Sequence, residues 1–207
     1  MFFNRTLLNS NPEFQTCLSA GRLTYLENKM NLEKLKYPIG SFDCPSNITT
    51  EIQQAWFSIL EHFPNRLINL VGDLSEAQLN TPYRPEGWTV RQVIHHLYDS
   101  HHNSYSRFKW TLTEETPLIK VYDEKAWGDL IDSKNAPIEL SLNALTALHA
   151  KWVYLLKGLT EADFQKSFIH PEGNEYVTLA ENIGIYAWHC NHHYAHIENL
   201  LKREGWK

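Results

Sequence analysis

Four long stretches of the chain repeat apolar residues every three or four positions, the pattern that turns one face of an α-helix toward a core. The first, Thr50 to Leu74, carries Ile52, Trp56, Ile59, Leu60, Phe63, Leu67 and Leu70 in this register, and Pro64 predicts a kink or a split into two pieces. The second opens at Thr89, where Thr89-Val90-Arg91-Gln92 forms a capping box: the hydroxyl accepts a backbone N–H and the glutamine reaches back. It runs to about Thr113 with Val90, Ile94, Leu97, His101, Phe108 and Leu112 toward the core. The third follows Pro137 and carries Ile138, Leu142, Leu145, Leu148, Trp152, Leu155, Leu156 and Leu159. A second capping box, Thr178-Leu179-Ala180-Glu181, starts the fourth, which continues to about Arg203 before Gly205 stops it.

The connections are unequal. Ser75 to Leu79 forms one more turn, and Thr81 to Gly87 is a loop by its Pro and Gly content. Glu114 to Ala136 is a long crossover with a short helix from Asp123 to Leu130, and Thr160 to Asp163 begins another. Phe168-Ile169-His170 and Tyr176-Val177 pair as a small hairpin across Pro171 to Asn174. The expectation is an all-α domain with a long crossover loop and a hairpin before the last helix. Residues 1–29 lack helical or strand periodicity and read as a peripheral extension. Met30 reads as the native start of a domain spanning 30–207.

Composition narrows the partners. The formal charge of −5 gives no basic footprint for nucleic acid, and the apolar runs fall short of the roughly 20 residues a membrane span needs. Cys17, Cys44 and Cys190 are odd in number and far apart, which argues against a disulfide framework and fits a reducing, cytoplasmic setting.

Histidine is the anomaly. His95, His96, His101 and His102 cluster in the second helix, and His189, His192, His193 and His196 in the fourth. On a helix, His189, His193 and His196 share a stripe. Only one of His95 and His96 can face the same side, because consecutive residues are turned by about 100°. Burying several imidazoles on adjacent turns costs roughly 1–3 kcal/mol for each one left without a partner. A cation shared between the two helices removes that cost. Beside the second helix's core face runs a polar stripe, Gln92, His96, Asp99, Ser100, Asn103 and Arg107, of the kind a pocket wall uses.

Several contiguous blocks carry a resemblance. They are Gly87 to Gln92, His95 to His101, Arg107 to Lys109, Leu112 to Pro117 and Tyr122 to Trp127. In this order they closely resemble the YfiT-like proteins of the DinB superfamily, and the likeness runs from about Tyr37 to the C-terminus. It implies an up-down-down-up four-helix bundle that holds one divalent metal ion per subunit. One ligand comes from the second helix and an H-x3-H pair from the last, which correspond here to His96, His189 and His193. His196 matches a position beside the site, and Asn191 stands where relatives have a further histidine.

Three neutral nitrogens leave open coordination positions, the layout of a catalytic site, and zinc is the default ion with nickel an alternative. The resemblance implies a metal-dependent hydrolase acting on a small substrate. Some relatives are low-molecular-weight thiol S-transferases of the bacillithiol type, and a non-catalytic metal-binding protein is the third alternative. Asp99 is the first candidate for a base or for orienting a ligand, while Gln92 and Arg107 are candidates for holding an anionic substrate group. Family members are commonly homodimers, which is the expectation here.

Overall fold

The four periodic stretches fold as four long helices in the computed structural model, which describes residues 32–207; the 1–29 extension and the Met30 start lie outside the described residues. Thr49 caps α1 (Thr50–Val71), its hydroxyl accepting from the Ile52 N–H. Of the kink or split expected at Pro64, the split does not occur: the helix runs through, with Pro64 itself buried. Phe63 and Leu67 are wholly buried on either side, so packing on neighbouring helices outweighs the one backbone bond the proline cannot make.

After the short α2 (Glu76–Leu79), α3 (Val90–Thr113) begins with the predicted capping box on Thr89 and Gln92. The crossover holds two helical pieces where one was expected, α4 (Glu124–Gly128) and α5 (Ile131–Asn135). The extended backbone of Leu130 separates them, and α5 packs on α3. α6 (Ile138–Lys157) follows, with Pro137 as its N-cap. Then come α7 (Glu161–Phe164) and a hairpin of β1 (Ser167–His170) with β2 (Glu175–Thr178), in which Phe168 opposes Val177. The crossover is pinned to this hairpin, because the Ile119 N–H donates to Ile169 O and the Ile169 N–H to Pro117 O.

α8 (Leu179–Arg203) is capped by Thr178 and Glu181. It ends at Gly205, whose φ of +68° lets the Trp206 N–H reach Leu201 O at 2.8 Å and its own N–H reach Lys202 O at 3.2 Å. α1 packs on α6 and α8, and so does α3, which closes a four-helix bundle. Trp152, Phe63, Phe108 and Leu97 fill its centre. Among the described residues no helix is long and apolar enough to cross a membrane.

Candidate metal centre

Because α3 lies against α8, one turn of each faces the other across the bundle. His96 projects from α3, and His189 and His193, one turn apart, from α8. Their ligating nitrogens all lie within 4.8 Å of one another. His96 Nε2 and His189 Nε2 are 3.3 Å apart. A tetrahedral divalent ion with metal–nitrogen distances of about 2.0–2.1 Å sets its donors roughly 3.3–3.4 Å apart, so the residues present fit such an ion. His95 points elsewhere, its Nδ1 2.7 Å from Ser141 Oγ and its Nε2 3.2 Å from Ala136 O. The doublet thus divides into one cavity residue and one that ties α3 to α6.

The three imidazoles are neutral. Burial holds the His96 pKa down to about 4, with His192 and His196 adding to the effect. For His189 and His193 burial comes first again, and the neighbouring imidazoles push the same way, well below the usual histidine value. A neutral ring offers a lone pair, which is what a cation needs. On α8 the ring nitrogens turned from the cavity are also engaged, His189 Nδ1 lying 3.0 Å from His101 Nε2. His196 Nε2 donates to the Lys36 carbonyl at 2.9 Å, which leaves His196 Nδ1 to accept from His193 Nδ1 at 3.4 Å. His196, expected beside the site, stacks on Tyr83 with centroids 4.1 Å apart.

A cavity of about 400 Å³ opens over this group, walled by Trp88, Trp188, Tyr37, Arg84 and Glu124. Glu124 arrives from the crossover, so no helical stripe could have foretold it. His192 also lines the cavity, stacked on Trp188 at 4.4 Å, and its buried Nδ1 has no partner.

Three expected contributors lie elsewhere. Gln92 is wholly occupied by structure: its Oε1 accepts from the Thr89 N–H and hydroxyl, and its Nε2 donates to Gly128 O at 2.7 Å. It holds the crossover, and it is not among the residues that line the cavity over the three histidines. Asp99 makes no side-chain hydrogen bond to the three histidines; burial, then Asp132, lifts its pKa to about 6. Arg107 lines a second cavity of about 710 Å³ together with Tyr122 and Glu124.

His101 and His149 were not foreseen as part of the centre. Both are buried behind His189, and with Cys190 they form a second group of possible ligand atoms. Their nitrogens are already bonded to each other, and burial pushes the Cys190 thiol well above its usual value, so this group lacks free donors. The sequence signal was present in outline, an imidazole on each of two apolar helix faces, but periodicity does not tell which residue such a ring meets.

Comparison with known proteins identifies the family. The chain is 49% identical over 177 residues to "Putative metal-dependent hydrolase YfiT" of Bacillus subtilis, covering 86% of this chain and 99% of that protein. It is 52% identical over 171 residues to a protein of Oceanobacillus iheyensis with the same hydrolase designation, covering 83% and 98%. The solved structure of Bacillus subtilis YfiT, described as an unusual four-helix bundle, superposes with a TM-score of 0.82 over 84% of this chain and 99% of that one. Residues 59–197 match the model of the DinB superfamily, and the chain belongs to that family.

Proposed function

We propose that this protein is a metal-dependent hydrolase of small molecules, with His96, His189 and His193 holding one divalent ion, zinc by preference and nickel as the alternative. The convergence of three neutral imidazole nitrogens within 4.8 Å at the floor of an open cavity carries this reading. When bound, such an ion would supply Lewis acidity, which makes water a stronger acid and polarises a carbonyl or phosphoryl oxygen. The rest falls to the chain's own residues. Trp88 and Trp188 give the cavity apolar walls that exclude bulk water around a small substrate.

Glu124 lines both this cavity and the larger one beside it, and Tyr186, on the wall of the second, lies 5.5 Å from His189 ring to ring. In that second cavity Arg107 Nε and the Tyr122 hydroxyl are buried without hydrogen-bond partners. An anionic group on the substrate, a carboxylate for instance, would be drawn to the Arg107 guanidinium on the wall of this cavity. The free thiols of Cys44 and Cys190 fit a cytoplasmic setting.

The test begins with metal content. The native protein should carry about one equivalent of ion, and His96→Ala, His189→Ala and His193→Ala should each lose it while staying helical by circular dichroism. A panel of esters, amides and phosphoesters, with and without bacillithiol or cysteine, then reads the reaction class. Turnover with water alone supports the hydrolase, and turnover only with a thiol replaces it by an S-transferase. Arg107→Met should raise KM for carboxylated substrates at least tenfold with metal content unchanged.

A further inference from the structure

A proline inside a helix has no N–H to give the carbonyl four residues back. In α1 that proline is Pro64, and the carbonyl left without its helical partner is that of Leu60. It is not left bare. His149, on α6, places Nδ1 2.6 Å from Leu60 O. A carbonyl oxygen only accepts, so the His149 proton sits on Nδ1 and its Nε2 keeps a lone pair. His101 Nδ1 lies 2.7 Å from that Nε2 and must donate to it. His101 Nε2 is then an acceptor, and His189 Nδ1, 3.0 Å away, must donate in turn. Each bond sets the direction of the next. At the end of the series His189 is left with a lone pair on Nε2, the atom that faces His96 Nε2 across the centre.

Ring geometry supports the bond between His101 and His149. The His101 and His149 rings are 17° from coplanar with centroids 4.9 Å apart, the arrangement of two imidazoles joined edge to edge. His101 is fully buried and His149 is 1% exposed, and both nitrogens of each ring already have a partner within the protein, which leaves none for a competing donor. Phe63, the residue before the proline, lies 6.0 Å from the His101 ring and 5.9 Å from the His149 ring and seals them on that side.

We propose that Pro64, His149 and His101 are positioning residues, which fix the proton of His189 on Nδ1 and so present its Nε2 to the cation. The helix proline works here by releasing an acceptor into the core. This rests on the three-histidine centre, but the tautomers can be read without any metal, so failure of one reading is distinguishable from failure of the other.

The experiment is long-range proton–nitrogen correlation on metal-free protein labelled with ¹⁵N at histidine, at neutral to slightly alkaline pH. His149, His101 and His189 should all be Nδ1–H tautomers, the form that free imidazole side chains disfavour in water. A His189 carrying its proton on Nε2 overturns the proposal, whatever the metal content. Zinc affinity, measured by competition with a chelator, supplies the second arm. His149→Phe removes the acceptor for His101 and should weaken zinc binding roughly tenfold or more, in the range such supporting partners show. His149→Gln can donate to Leu60 O and accept from His101, so it should bind zinc as the native protein does. Equal affinity in the two variants overturns the relay.

Pro64→Ala cannot be dismissed as a folding failure, since alanine is by far the better helix former. It returns an N–H to Leu60 O in competition with His149. It should raise thermal stability while lowering zinc affinity and mixing the His149 tautomers. If the tautomers and affinity are unchanged, the proline has no part.

Discussion

The Trp88 indole leans over the His96 imidazole, ring centroids 4.6 Å apart and planes at 46°. Gly128 closes on the same indole, and a Cβ added there would stand 2.9 Å from Nε1 and 3.0 Å from Cε2. Besides Glu124, the crossover thus reaches the metal centre through Trp88. Gly128→Ala gains up to about 1 kcal/mol of helix propensity. Against that, overpacking a rigid indole costs about 1–3 kcal/mol, and the second effect should win. The expected result is a net loss of about 1 kcal/mol in urea unfolding and weaker zinc binding, as Trp88 shifts off His96. A more stable variant with native zinc affinity would contradict this coupling.

Gln92 serves the same join from the other side. Its Oε1 caps α3, and its Nε2 holds Gly128 O at 2.7 Å in a buried setting. Gln92→Ala removes a cap interaction worth about 1 kcal/mol and a buried hydrogen bond worth about as much. Unfolding should become easier by roughly 2 kcal/mol, and KM for charged substrates should stay where it was. A raised KM with unchanged stability would return Gln92 to the pocket.

The bundle was legible because each long helix announces itself twice, by its apolar period and by the chemistry at its ends. Thr89 with Gln92 and Thr178 with Glu181 form the boxes foreseen, and the hairpin pairs Phe168 with Val177. Helical spacing also brought His189 and His193 onto one face, and the family likeness selected His96 over His95. Tertiary exchanges were not legible. Pro64 breaks a local rule, and what tolerates it is packing and an imidazole 85 residues further along the chain. Glu124 reaches the cavity on a crossover whose path no periodicity encodes. Asp99 shares the stripe of His96, yet the segment that covers it is α5, which the sequence did not announce.

Asp99 gives a prediction with a definite sign. Burial, then Asp132, raises its pKa from 3.8 to about 6. A carboxyl raised on folding contributes no penalty at low pH and destabilises increasingly as pH rises through the window from about 4 to about 6. Asp99→Asn should therefore stabilise the protein at pH 8, on the order of 1 kcal/mol once solvent screening is allowed for, and leave it unchanged near pH 4. Metal content should not change, and loss of the ion in this variant would restore Asp99 to the centre.

The histidines act in the opposite sense and outnumber it. Burial lowers the pKa of His149 from 6.5 to about 4, though its bond to Leu60 O pulls the other way, and burial takes His96 from 6.5 to about 4 as well. Above the unfolded value of 6.5 both states are neutral and the stability is complete. As pH falls from about 6.5 to about 4 the unfolded chain takes up protons that the folded one refuses, and stability drops by up to about 1.4 kcal/mol per pH unit for each such group. Asp99 and Glu124, the two carboxyls that burial raises, cannot offset several imidazoles, so metal-free protein should lose stability steeply through this window. Urea midpoints across the pH range measure it, and His149→Gln should flatten the slope by about one proton. A metal-free protein equally stable at pH 7 and pH 4.5 would mean that these rings are solvated and charged in the fold, contrary to the buried neutral network described.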